Sequence, residues 1–115
     1  MVNYQWKIFR ADLDPVRGSE QAGFRPVLVI SSEEVNQHLP IITVVSLTTV
    51  KQGRKVYPIE AYLSKEESGL PKDSIVMAHQ IRAVAKDRLG EKYGEIKNHE
   101  IKEKIRNAVR VYLDL

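Results

Sequence analysis

The strand-like runs of this chain are separated only by turns or single helical turns, and the one sustained helical period comes at the C-terminal end. Parallel strands need crossover connections of about a dozen residues or more, so this spacing disfavours a parallel sheet and favours a small antiparallel barrel. The expected class is mainly β, a six-stranded barrel with short helical turns and a C-terminal helix. Trp6 to Leu13 reads as the first strand, with Phe9, Ala11 and Leu13 on its inner face, and Asp14-Pro15 ends it. Ser31 to His38, a serine followed by two acids, predicts a capped helical turn broken at Leu39-Pro40. Ile41 to Leu47 is β-branched and apolar, a strand ending at Thr48-Thr49. Val50 to Lys55 reads as a charged hairpin tip centred on Gly53, and Val56 to Leu63 as the returning strand, with Glu60 and Tyr62 on a wet face. Ser64 to Glu67 has capping-box spacing, limited to about one turn by Gly69 and Pro71. Ser74 to Val84 is a further strand, Ala85 to Leu89 a helical turn and Tyr93 to Ile96 a short last strand. From Asn98 the period becomes helical, with Ile101, Ile105, Ala108, Val109 and Tyr112 on one face.

The stretch Gly18 to Ser31 joins a polar loop to the most strand-like run in the chain. Gly18 and Gly23 bracket Ser19, Glu20, Gln21 and Ala22, while Pro26 biases Arg25 toward an extended backbone. Proline has no N–H for a ladder, which predicts that the sheet proper begins at Val27. Val27 to Ile30 is apolar on both faces and belongs in the core. A fixed cation, Arg25, thus stands at a strand start beside a polar loop, an arrangement suited to an anion.

At 115 residues the chain is expected to form a single domain, 1–115. Its 43% hydrophobic and 29% charged content is that of a globular protein rather than a disordered one. It has no cysteine, so neither a disulfide framework nor a thiolate metal site is available, which fits a reducing cytosol. No two of its three histidines have metal-ligand spacing, and neither a metal nor another cofactor is expected. The start of the chain lacks a secretory pattern and no run approaches about 18 apolar residues, so a cytoplasmic protein without a membrane span is expected. A net charge of +3 permits nucleic-acid binding without demanding it, because the basic residues are dispersed.

Asp12 to Ser31 resembles the signature of the MazF/PemK (Kid) toxins, ribosome-independent endoribonucleases of bacterial toxin–antitoxin modules. Three further blocks follow in the family's order: Val44 to Thr49, Tyr57-Pro58, and Asp73 to Arg82. The resemblance implies an SH3-like barrel and a metal-independent, sequence-selective cut in single-stranded RNA that leaves a cyclic phosphate and a 5′-hydroxyl. It also implies a homodimer, with the RNA groove across the subunit interface, and a cognate antitoxin whose disordered acidic tail competes with RNA. Two departures stand out. The family usually has glycine and an acid where this chain has Trp6-Lys7, and Asp or Glu where it has His79.

The resemblance makes Arg25 and Thr48 catalytic. A metal-free cut requires a site that stabilises added charge on phosphorus and protonates the departing 5′ oxygen. Arginine stays charged and matches phosphate oxygens with two parallel N–H groups, and the threonine hydroxyl can hold a phosphate oxygen or the 2′-hydroxyl. Apart from the resemblance, Arg25 reads rather as the partner of a carboxylate such as Glu20 or Asp14 that fixes the loop, and Thr48 as an ordinary strand-end residue. Ser19, Glu20 and Gln21 are candidate base contacts, or a solvated turn. Thr49 should face away from Thr48. His79 is a candidate acid, base reader or packing residue; Gln80 and Arg82 match family positions near the RNA groove. The competing reading is a non-catalytic CcdB-like inhibitor that shares the fold and binds DNA gyrase; such chains use aromatic and small residues at the C-terminus, whereas this one ends Val111-Tyr-Leu-Asp-Leu115.

Overall fold

The computed structural model describes residues 2–13, 18 and 23–115. Six strands form one antiparallel sheet: β1 (Lys7–Asp12), β2 (Phe24–Val29), β3 (Ile41–Thr49), β4 (Glu60–Leu63), β5 (Ser74–Ala85) and β6 (Leu89–Glu95), in the order β4-β5-β3-β2-β1-β6. Between them lie α1 (Glu33–His38), α2 (Lys65–Ser68) and a 3₁₀ turn at Lys86–Arg88, and α3 (His99–Leu113) follows the last strand. None of the helices among the described residues is long and apolar enough to cross a membrane.

The sheet is apolar on both faces. Trp6, Ile8, Leu28, Val45, Leu47, Val76 and Ile105 belong to one buried cluster, and Phe9, Ala11, Leu13, Val27, Val29, Ile42 and Val44 to another. Successive residues of a strand point to opposite faces, so neighbours such as Val27 and Leu28 serve different clusters. This corrects the single inner face expected of the first strand. Ile8 and Trp6 are buried too, because α3 supplies Ile105 to cover their side. The helix α3 begins where the sequence period changes, and the structure adds a cap there: the Asn98 side chain accepts from the Ile101 N–H at 3.1 Å.

Trp6 has φ 66°, a left-handed conformation rare for a bulky residue. Its N–H donates to Val29 O and its carbonyl accepts from Ile96 N–H, each at 2.8 Å. The Lys102 and Arg106 cations stand over its ring at 5.6 and 5.0 Å, so burial and cation–π contact hold the ring against α3.

The sheet edges β4 and β6 share no strand pairing, and α2 bridges them. Ser64 caps this single turn and Gly69 ends it at φ 77°. There the chain lies directly on β6. A β-carbon on Gly69 would fall 3.1 Å from the Tyr93 carbonyl carbon, and one on Gly94 2.8 Å from the Ser68 carbonyl carbon, with the carbonyl oxygens closer still.

Val56 to Leu63 does not return against β3 as the alternation of its side chains suggests. Only Glu60–Leu63 is strand, and it pairs with β5, which pairs in turn with β3. Glu60 is buried rather than wet, because Arg54 reaches it at 2.6 Å and the Tyr57 N–H at 3.1 Å. Burial alone would raise its pKa, but these hydrogen bonds outweigh it and the carboxyl lies below its ordinary value. The last strand is longer than the sequence suggests, since Leu89 to Lys92 pairs with β1 despite its polar composition.

Candidate active site

The site arises where β2 and β3 part. Their register pairs Val27 with Ser46, Leu28 with Val45 and Val29 with Val44. The Ile30 N–H donates to Thr43 O at 3.0 Å. Bonded pairs alternate along an antiparallel ladder, so the next ones after 30/43 are 28/45 and then 26/47. Residue 26 is proline, which has no N–H to give. The β2–β3 pairing ends at Val27. On its other side β2 continues, pairing Pro26 with Arg10, Arg25 with Ala11 and Phe24 with Asp12. The Leu13 N–H bonds Gly23 O at 3.0 Å, which by the same alternation makes 10/26 a non-bonded pair that tolerates proline. The strand therefore starts at Phe24 and not at Val27, with one side unzipped. Continued two steps past the last pair, the register would set Arg25 opposite Thr48.

A cleft of about 560 Å³ occupies that opening, lined by Arg25, Pro26, Leu47, Thr48, Thr49, Lys51, Leu70, Pro71, Lys72, Ser74 and Tyr93. It holds three cations, four hydroxyls and no carboxylate among its described lining residues. The field therefore favours an anion. Thr48 and Thr49 both line it, contrary to the expectation that Thr49 turns away, because β3 ends there and its last residue meets the mouth of the cleft.

The opposite wall comes from the α2–β5 connection. Asp73, between Lys72 and Ser74, accepts from the Tyr62 hydroxyl and, at 2.8 Å, from the Lys65 N–H. The Tyr62 bond, followed by that of Lys65, holds the Asp73 carboxyl below its ordinary range. The Asp73 carbonyl also accepts from Val50 N–H at 2.9 Å, tying the wall to the end of β3. Lys51, Lys72, Ser74 and Tyr93 are not singled out by sequence reasoning, since only the fold brings them beside Arg25. The pairing of Thr49 with Ser74 is visible only in the folded sheet.

The remaining candidates lie elsewhere. Between Val44/Arg82 and Ser46/Met77 the register of β3 and β5 shifts, so that Ala78–Ile81 bulge opposite Val45 alone. His79 and Gln80 sit on this bulge. The His79 ring meets Tyr112 of α3 edge-on at 6.5 Å, away from the cleft. Arg82 donates to Leu13 O at 3.3 Å, at the end of β1. Ser19, Glu20 and Gln21 lie outside the described residues, as does Asp14.

A family model described as "PemK-like, MazF-like toxin of type II toxin-antitoxin system" matches residues 4–113. Over 108 residues the chain is 36% identical to an Endoribonuclease MazF of Staphylococcus saprophyticus, spanning 94% of this chain and 88% of that protein. It is 35% identical, with the same coverage, to an Endoribonuclease MazF of Staphylococcus epidermidis. Its fold superposes with TM-score 0.81 on an endoribonuclease solved in complex with its cognate antitoxin from Mycobacterial species, at 26% identity over 99% of this chain and 97% of that one. MazF of Deinococcus radiodurans shares the fold with TM-score 0.80, at 23% identity over 100% and 99% of the two chains. With its model matched almost end to end, the chain belongs to the PemK/MazF family of toxins of type II toxin–antitoxin systems.

Proposed function

We propose that this chain is a cytoplasmic endoribonuclease toxin that cuts single-stranded RNA in the cleft between β2 and β3, with Arg25 and Thr48 as its catalytic residues. The observation that carries this reading is the opening of the β2–β3 ladder, which lines one cleft with Arg25, Thr48, Lys51 and Lys72 and with no described carboxylate. The 2′-oxygen attacks the adjacent phosphorus and gives up its proton as the new P–O bond forms. The bond to the 5′ oxygen breaks, that oxygen takes a proton, and the products are a 2′,3′-cyclic phosphate and a 5′-hydroxyl. The Arg25 guanidinium spans the two non-bridging phosphate oxygens as charge builds on them, and the Thr48 hydroxyl donates to one of these or orients the 2′-hydroxyl. Lys51 and Lys72 hold neighbouring phosphates as point charges.

The working form is a homodimer, restrained by a cognate antitoxin whose acidic, disordered tail is drawn to the same cationic cleft. Thr49, which lines the cleft, is a proposed RNA contact outside the chemical step, and Ser19, Glu20, Gln21, His79, Gln80 and Arg82 are proposed as RNA contacts on the resemblance alone. The family match and the cleft leave the gyrase-binding alternative without a supporting observation.

Cut sites mapped on a long mixed-sequence RNA test the reading. Arg25→Ala and Thr48→Ala are expected to lower the rate by about 10²- to 10³-fold, the range for losing one transition-state donor, with an unchanged circular dichroism spectrum. Thr48→Ser keeps most of the rate, because only the hydroxyl is needed. Wild-type-like cleavage by either alanine variant refutes the assignment, and so does cleavage at a nucleotide whose 2′-hydroxyl has been replaced by hydrogen.

A further inference from the structure

Tyr93 stands apart from the other cleft residues. It comes from β6, a strand at the far edge of the sheet from β4 and β5, yet it shares the cleft with Arg25 and Thr48. Its ring is half-buried against the cluster that holds Leu47 and Leu63, and it lies beside Leu70 and Pro71, which line the same wall. Lys92 and Gly94, on either side of Tyr93, pair with Phe9 and Ile8 of β1. Gly69 rests on the Tyr93 carbonyl and Gly94 on the Ser68 carbonyl, each too closely to admit a β-carbon. An aromatic ring on a closely packed backbone, next to apolar side chains and in one cleft with three cations, is how single-stranded nucleic acid is held: the charges follow its backbone and the ring takes a base face.

We propose that Tyr93 is a stacking platform for one nucleobase beside the scissile phosphate, a positioning residue that sets the phosphate against Arg25 and Thr48. The assignment rests on the endoribonuclease reading. The wall formed by Leu70, Pro71 and Tyr93 meets the flat, apolar face of the base and leaves its hydrogen-bonding edge toward solvent and the rest of the cleft. The platform therefore contributes affinity and alignment at one nucleotide with little preference for which base is there.

Two variants separate the ring from the hydroxyl. Affinity is read by fluorescence anisotropy on a labelled short RNA that carries a mapped cut site, made resistant by a 2′-deoxy substitution at the nucleotide before the cut. Tyr93→Phe keeps the ring and is expected to bind within about twofold of wild type. Tyr93→Leu keeps bulk without a π-face and is expected to weaken binding on the order of tenfold or more, as loss of one base–aromatic stack does, and to raise KM far more than it lowers kcat on the all-ribose strand. Unchanged binding by Tyr93→Leu overturns the proposal. Equal damage from Phe and Leu overturns it in favour of a role for the hydroxyl.

A measurement on the wild-type protein covers the case in which Tyr93→Leu does not fold. An abasic site is placed at each nucleotide flanking the cut, and the same positions are then filled with difluorotoluene, an aromatic isostere without hydrogen-bonding edges. One position is expected at which the abasic strand loses about tenfold in affinity and the isostere restores it; absence of such a position overturns the stacking role. A wild-type protein that cuts no RNA sinks the endoribonuclease reading itself, whereas cleavage that is normal in both wild type and Tyr93→Leu sinks only the platform.

Discussion

Gly94→Ala tests the seam where α2 packs on β6, beside the cleft. Gly94 is not held at positive φ, so alanine meets no backbone strain there, and in open space the loss of chain freedom in the unfolded state would make it stabilising by about 0.4–1 kcal/mol. The space is not open. The new β-carbon would lie 2.8 Å from the Ser68 carbonyl carbon and 3.2 Å from the Gly69 N, with the Ser68 oxygen nearer still. All of these are backbone atoms of the C-terminal end of α2, so no side chain can swing aside, and α2 itself must lift from β6. Overpacking of this kind costs about 1–3 kcal/mol, and the absence of a flexible neighbour puts the expected loss near the upper figure. For a domain of this size about 1 kcal/mol moves Tm by roughly 4 °C, so Gly94→Ala is expected to melt about 12 °C below wild type in a calorimetric scan. Gly53→Ala is the control. It has φ 78° but nothing within 4 Å of a β-carbon, so only the left-handed conformation is penalised, about 1 kcal/mol or roughly 4 °C. A Gly94→Ala protein that melts at or above the wild-type temperature refutes the close-packed seam.

The site and its supports respond to three other perturbations. Pro26→Ala supplies the missing N–H opposite Leu47, so the β2–β3 ladder is expected to extend across the cleft and slow RNA cleavage; slow exchange of the new amide at position 26 by NMR reports the extension, and rapid exchange contradicts it. Glu60 has a folded pKa below its ordinary value of 4.5, so its stabilising effect is full above that value and lost as pH falls through the folded one. Glu60→Gln is therefore expected to flatten the acid limb of the stability curve below about pH 4.5, and an unchanged limb rules out the carboxylate as its source. His79→Ala is expected to retain the wild-type pH dependence of cleavage while lowering Tm, because the ring packs on Tyr112 away from the cleft; loss of an ionisation from the rate profile would place the imidazole in the proton transfers.

Local chemistry made much of this fold legible. The Ser64 cap and Gly69 stop, the change of period at Asn98 and the β-branched runs of β3 and β5 each act within a few residues, so sequence shows them directly. What sequence could not show depended on partners distant along the chain. Val56 to Leu63 has the alternation of a long strand, but Arg54 turns back onto Glu60 and only four residues pair with β5. The polar run Leu89 to Lys92 is a strand only because β1 offers it an edge. Trp6 could be read as a departure from the glycine usual in its relatives, but not as a residue with φ 66°, since the sign of φ is set by the bonds to Val29 and Ile96. Of the residues that line the cleft, Arg25 and Thr48 were singled out through resemblance. Lys51, Lys72, Ser74 and Tyr93 were not, because they come from three separate segments that converge only when α2 closes on β6.

The same proline accounts for both the strand and the site. An antiparallel sheet normally leaves no room between neighbouring strands for a phosphate, because its ladder bonds hold them at about 4.8 Å. A catalytic cleft in a small barrel therefore requires that one ladder stop while both strands continue. Pro26 does this with a single missing donor. It falls at a bonded position toward β3 and at a non-bonded position toward β1, so it opens one side of β2 and leaves the other intact. Moved one residue in either direction, the same proline would break the β1 ladder instead, and Arg25 would lose the strand that supports it. Arg25 and Thr48, which the register would have set opposite each other, thus remain on their strands while the cleft opens between them. Activity and stability are opposed at this point, since every bond that would complete the β2–β3 ladder would also close the cleft.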